Sequence, residues 1–170
     1  MYLKILGACL VVLGCGGVGF GIANGCRQEE KALRQLLSSL DYMQCELQYR
    51  LTPLPELCRK VSAASEGLMR PVFLGLAVAL EDRITPDVER CMELALGQVC
   101  QMPKLAVQVL SQLGRSLGRF DLAGQLRGLE AAREEARGKL EALVKDRAVR
   151  MRTYQTLGLC AGAALAILLI

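Results

Sequence analysis

DLAGQLRGLEAAREEARGKLEALVKDRAVRMR, the stretch from Asp121 to Arg152, decides the fold class. It holds no proline, and apolar or small residues recur at Leu122, Leu126, Leu129, Ala136, Leu140 and Leu143. Steps of three, four or seven residues place these side chains on one buried face of an α-helix. Arg133 and Arg147 interrupt the stripe, so the seam is imperfect. On the opposite face Glu135 precedes Lys139, Arg137 precedes Glu141 and Glu141 precedes Lys145, each by four positions. Such pairs add roughly 0.2–0.5 kcal/mol each on an exposed helix. At about 1.5 Å per residue the helix is roughly 48 Å long. The composition then switches: no residue from Tyr154 to Ile170 is charged, and the chain finishes Ala-Leu-Ala-Ile-Leu-Leu-Ile. The whole segment reads as a charged helix running straight into a membrane.

Working outward, the composition agrees. The apolar share is 52% with only 4% aromatic residues and no Trp, too apolar for an ordinary soluble bundle. Ile5 to Gly25 carries no charge and is long enough to cross a bilayer as a helix. Gly17, Gly21 and Gly25 sit four apart within it, and Gly158, Gly162 and Ala166 repeat that spacing in the C-terminal span. Small residues at this interval let membrane helices approach closely, so these faces are expected to pack on each other or on partner spans. Arg27, Lys31 and Arg34 follow the first span, while Lys145, Arg147, Arg150 and Arg152 precede the second. Basic residues bracketing the centre at both ends place it on the cytoplasmic side, with both termini on the far side. The last span is about 25 Å long as a helix, short of a hydrocarbon core near 30 Å. It either crosses a locally thinned bilayer or enters it without fully crossing.

Two motifs near the N-terminus mislead. Gly14-Cys15-Gly16-Gly17-Val18-Gly19 spells the dinucleotide fingerprint but follows no β-strand of a βαβ unit, so it is rejected. Val12-Leu13-Gly14-Cys15 resembles a lipoprotein cleavage box, yet the sequence stays apolar beyond Cys15, which favours an uncleaved span.

The expected organisation is all-α: a transmembrane helix over 1–26, a six-helix cytosolic bundle over 27–152 and a transmembrane helix over 153–170. Within the bundle, helices are expected at 27–51, 55–66, 71–83, 86–100, 103–117 and 121–152. Leu33, Leu36, Leu37, Leu40, Met43 and Leu47 form the inner stripe of the first. Pro53 and Pro55 break the chain, and Pro55 suits the first position of the next helix. Gly67 ends that helix and Pro71 opens the third, which is apolar almost all round and therefore central. Thr85-Pro86 reads as an N-cap followed by proline, with Asp87 and Glu89 in the first turn. Pro103 opens the fifth helix, with Leu105, Val109, Leu110 and Leu113 inward. Gly114 and Gly118 close it.

Enzymatic readings mostly fail on inventory, leaving a membrane-bound enzyme with a lysine base or a carboxylate pair as the remaining catalytic alternative. There is no histidine, so no Cys-His or Ser-His pair exists, and no Walker-type loop is present. The eight cysteines include no C-x-x-C pair, which disfavours a structural metal and suits reduced thiols. No catalytic residue, metal site or cofactor is expected, and no nucleic acid, since no basic patch has interleaved aromatics.

Three stretches together resemble the stage III sporulation protein AB family of endospore-forming bacteria. They are Leu51-Thr52-Pro53-Leu54-Pro55-Glu56; Leu113-Gly114-Arg115-Ser116-Leu117-Gly118 with Asp121 and Gln125; and Tyr154-Gln155-Thr156-Leu157-Gly158 with the terminal Ile167-Leu168-Leu169-Ile170. The resemblance spans the whole chain. It implies a subunit of the secretion-like complex joining mother cell and forespore, located in the mother-cell membrane around the forespore. It also implies a central domain similar to the cytosolic helical domain of type II secretion and type IV pilus platform proteins. The implied partners are a secretion-type ATPase of the same operon and other membrane subunits, with self-association replacing the second helical domain of platform proteins. The alternatives are a membrane-tethered helical module that binds a lipid or small ligand, and a purely structural scaffold.

Overall fold

In the computed structural model of the chain, the backbone is described for residues 2–83, 85–118 and 121–169, and side chains for 25, 27–83, 85–118 and 121–146. Six helices follow in order: α1 Tyr2–Arg50, α2 Leu54–Ala64, α3 Met69–Glu81, α4 Val88–Gly97, α5 Lys104–Ser116 and α6 Leu122–Leu169. Among the described residues there is no strand. The fold is all-α, as expected.

The chain runs up and down along a common direction. Lys60 on α2 pairs with Glu46, and Ser65 just beyond α2 meets Ser39, so α2 returns alongside α1. The Gly75 backbone approaches Ala95, pairing α3 with α4. Glu29 reaches the start of α5, and Arg133 on α6 holds Asp41 on α1 at 2.7 Å. The α1–α2 connector, the end of α3 with the start of α4, and the end of α5 with the start of α6 therefore gather at one end. The turns at 65–68 and 98–103 lie at the other, where α1 enters and α6 leaves.

The bundle core follows the stripe anticipated on α1: Leu33, Leu36, Leu40, Met43 and Leu47 are buried, with Leu37 packed against their edge. Val109, Leu110 and Leu113 face inward from α5, and Leu129, Ala132 and Ala136 from α6. Arg133, which interrupts the apolar stripe in the sequence, lies at its margin and bridges to Asp41. Lys139 turns towards the bundle, pairing with Glu135 at 3.2 Å and donating to Gln108 on α5 at 2.9 Å.

Several boundaries shift for identifiable reasons. α1 and α6 are each one continuous helix, without a break near 26 or 152; no proline interrupts either junction, and α1 runs on through Gly25. Asp87, not Thr85, is the N-cap of α4: its extended backbone and its carboxylate, 3.4 Å from the Glu89 amide, take that role. Thr85 instead pairs with the Cys91 thiol at 3.1 Å. Pro55 occupies the first turn of α2 behind Pro53 at the cap. Pro71 falls inside α3, which begins at Met69. Gly114 does not end α5 but lies within it, where an added Cβ would come 2.9 Å from Met92 Cβ on α4. α3 is not central: Leu74 and Val78 remain 45% and 42% exposed.

One cap has no local sequence signal. α5 starts behind Pro103, which supplies no side-chain cap. The Glu29 carboxylate, 75 positions away, accepts from the Lys104 amide at 3.0 Å and the Leu105 amide at 3.2 Å. A negative charge at a helix N-terminus satisfies orphan donors and complements the helix dipole.

Among the described residues no helix is long and apolar enough to cross a membrane. The segments expected to do so, with Gly17, Gly21, Gly158 and Gly162, lie outside the described side chains. Gly25 is exposed, and a Cβ there would meet nothing within 4 Å.

Candidate functional site

The end of the bundle remote from the entry of α1 collects two of the family-like stretches. Leu54 Cδ2 lies 3.8 Å from the position a Cβ on Gly118 would take, so the α1–α2 connector touches the α5–α6 turn. Sequence alone placed these stretches about sixty residues apart; the antiparallel course of the helices brings them together.

Each residue there has a specific part. Thr52 is buried and donates from Oγ1 to Glu46 Oε2 at 3.3 Å. Glu46 is itself only 8% exposed and is held by Lys60 at 3.3 Å and Arg50 at 3.6 Å. Lys60 also meets Glu56 at 3.2 Å. Hydrogen bonds that Lys60 donates to the Glu56 and then the Glu46 carboxylate raise its pKa above the ordinary value. The resulting stabilisation is complete below the unfolded lysine pKa and disappears as pH rises through the folded one. Glu46 thus ties the connector to α1 and α2, a role the sequence did not advertise because a lone glutamate on a helix reads as solvated.

Pro53 caps α2, while Leu54 and Pro55 form its first turn. Leu51 is the exception to local economy. It adopts φ +51° and is 66% exposed, beside Tyr49 at 77%. Left-handed backbone at a branched residue costs about 1–3 kcal/mol, here without burial in return. Tyr49 and Leu51 are thus both left exposed at the tip of α1.

Gly118 has φ +77°, turning the chain after Leu117. Arg115 holds Glu89 at 2.8 Å, fixing the end of α5 to the start of α4. Asp121 caps α6, its Oδ1 accepting from the Gly124 amide at 3.0 Å, and the Gln125 amide donates to the Asp121 carbonyl at 2.9 Å. Asp121→Ala should destabilise the bundle by about 1 kcal/mol, and Asp121→Asn by much less, in urea unfolding followed by circular dichroism.

A second surface was not foreseen. α3 and α4 leave between them an open groove lined by Pro71, Leu74, Gly75, Val78, Leu94 and Gln98. Leu94 is 42% exposed, so three large apolar side chains face solvent along one flank. The groove is not an enclosed chamber of the kind a buried lipid would occupy.

Among the described residues no three acids or cysteines are grouped to hold a metal. Cys58 is buried, and burial pushes its thiol up to about 12. Cys91 is also buried, whereas Cys45 and Cys100 are exposed.

Comparison with known proteins gives a consistent result. Residues 4–170 match the family model described as stage III sporulation protein AB. The chain is 27% identical to stage III sporulation protein AB of Bacillus subtilis (strain 168), over 98% of this chain and 99% of that protein. A solved structure of a stage III sporulation protein AB superposes with a TM-score of 0.62 at 20% identity, covering 72% of this chain and 98% of that one.

Proposed function

The chain belongs to the stage III sporulation protein AB family, and from that premise we propose that it is a membrane-anchored platform subunit of the sporulation secretion-like complex. It docks a secretion-type ATPase of the same operon to the mother-cell membrane around the forespore. It performs no catalysis of its own.

One observation carries this reading. α1 enters and α6 leaves at one end of the bundle, and the family-like residues Leu54 and Gly118 meet at the other. Two spans on one side then hold the bundle with its connector end projecting into the cytosol. Arg27, Lys31 and Lys145 are exposed at the anchored end, where they suit an anionic membrane surface. Exposed Tyr49 is an aromatic anchor of the kind enriched at protein contacts, Leu51 adds exposed apolar surface two residues on, and the intervening Arg50 and the following Thr52 are held by Glu46. The unenclosed α3–α4 groove favours this platform reading over a ligand carrier.

The test is recruitment of the operon's ATPase to liposomes carrying the full-length chain. Retention that falls about tenfold with Leu51→Asp, equivalent to about 1.4 kcal/mol, supports docking at the connector end. Equal retention by liposomes with and without the chain would leave only a scaffold role. Retention indifferent to Leu51→Asp would move the contact elsewhere.

A further inference from the structure

The groove between α3 and α4 lies on a different flank from the connector tip, and its charges say what would fill it. Arg70, Leu74, Val78 and Asp82 follow one another at four-residue intervals, forming a ridge along α3. Leu94 and Gln98 form the facing wall on α4. Gly75 makes this possible: a Cβ there would sit 3.4 Å from Ala95 Cβ and 3.4 Å from Gln98 Oε1. The two helices therefore lie close, and the space above them stays shallow and apolar.

The two ends of the ridge carry opposite charges, each at the wrong end for α3 itself. Arg70 lies in the first turn and Asp82 at the C-cap, whereas the helix dipole favours acids first and bases last. Both side chains are exposed, and among the described residues neither has a side-chain partner. At the Asp82 end of α4, Arg90 is already engaged by Glu93 at 3.0 Å. On the ridge itself, the unneutralised charges are thus a base at one end of the apolar strip and an acid at the other, with Glu66 and Arg83 exposed beyond its two ends.

We infer that this groove receives an amphipathic α-helix of another protein, lying antiparallel to α3. Its C-terminal end and an acidic side chain meet Arg70. Its N-terminal end and a basic side chain meet Asp82. Apolar residues three or four apart rest on Leu74, Val78 and Leu94. Antiparallel packing sets both partner dipole ends against the charges that α3 misplaces for itself. The ridge spans about three helical turns, so the occupant needs about twelve residues. A ridge of side chains four apart is also the usual element of helix-on-helix packing.

A second copy of α3 carries matching charges but is disfavoured by direction. α3 runs the same way along the bundle as α1, so two antiparallel α3 helices would send their α1 helices away in opposite directions. Two chains held by one bilayer cannot do that, so the exclusion of a second copy rests on the membrane-anchored reading proposed above. The inference is separate from the ATPase contact proposed at the connector tip and survives or fails without it.

The experiment is photocrosslinking in sporulating cells, with p-benzoylphenylalanine in place of Leu94 in the full-length chain and, as a control, in place of Ser38. The expected product joins position 94 to one segment of another protein. That segment has apolar residues at helical spacing and an acid at the end that meets Arg70. Arg70→Glu should reduce the yield by about fivefold or more, and Arg70→Lys should restore most of it. Leu74→Ser, which alters only an exposed side chain, should abolish the product while leaving the helical spectrum and melting point intact. Crosslinks to a second copy of this chain, to lipid, or to a segment without helical spacing would overturn the inference. So would a yield no higher than at position 38, or one indifferent to Arg70→Glu.

Discussion

Gly118→Ala is expected to destabilise the bundle by about 2–4 kcal/mol, through two separable effects. The first is conformational: at φ +77° any side chain meets the backbone strain that glycine escapes, costing about 1–2 kcal/mol. The second is steric. A Cβ at Gly118 would lie 2.5 Å from Val88 Cγ2, closer than real contacts permit. Valine cannot swing aside cheaply, because its branched Cβ restricts χ1 and it occupies the first turn of α4. Relief by moving the backbone would disturb the α1–α2 connector, since Leu54 lies just beyond. Val88→Ala in the same chain should recover the steric part and leave only the conformational cost. A double-mutant cycle from urea unfolding measures that coupling, which should exceed 1 kcal/mol at its order of magnitude. Loss of the same size in both backgrounds would mean that only the backbone angle matters.

The second large effect is in the core. Phe73→Ala should cost about 3–5 kcal/mol and lower the melting midpoint by roughly 10 °C or more. Phe73 is completely buried on α3 and is the single aromatic among the described core residues. The remainder of that core is built from Leu, Met, Val, Ala and Cys, so no neighbouring ring can tilt into the vacated space. Phe73→Leu should cost less than half as much, because it preserves most of the volume. Leu74→Ala, one position away but 45% exposed, should change stability by about 0.5 kcal/mol or less. The contrast between adjacent positions follows from the helix period and checks the assignment of the α3 inner face.

Legibility followed the range of each interaction. The stripes on α1 and α5 could be read because burial repeats at the helix period over several turns. Proline positions marked where helices start, within a turn. The α4 cap was misassigned because Thr85 and Asp87 are both good cap residues flanking Pro86, and only the extended backbone at Asp87 decides between them. Gly114 looked like a terminator because its reason for being glycine is Met92 on another helix. The Glu29 cap on α5 and the Glu46 tie on Thr52 depend on folding having already brought distant segments together. Hydropathy alone does not separate the open face of α3 from core, since an exposed apolar strip and a buried face share one composition. The connector motif was visible as residues, but its meeting with Gly118 was not.

The proposed function hangs on a bundle held at one end by two membrane helices, and accessibility labelling tests that proposal most directly. Full-length chains retaining only Cys45, only Cys100, or only a cysteine introduced by Tyr2→Cys would be treated with an impermeant maleimide in intact cells and inverted vesicles. The account predicts that Cys45 and Cys100, both exposed on the bundle, label only in inverted vesicles. The introduced cysteine should label only from outside, and the chain should resist alkaline carbonate extraction. Labelling of Cys45 or Cys100 from outside intact cells, or release of the chain by carbonate, would contradict it.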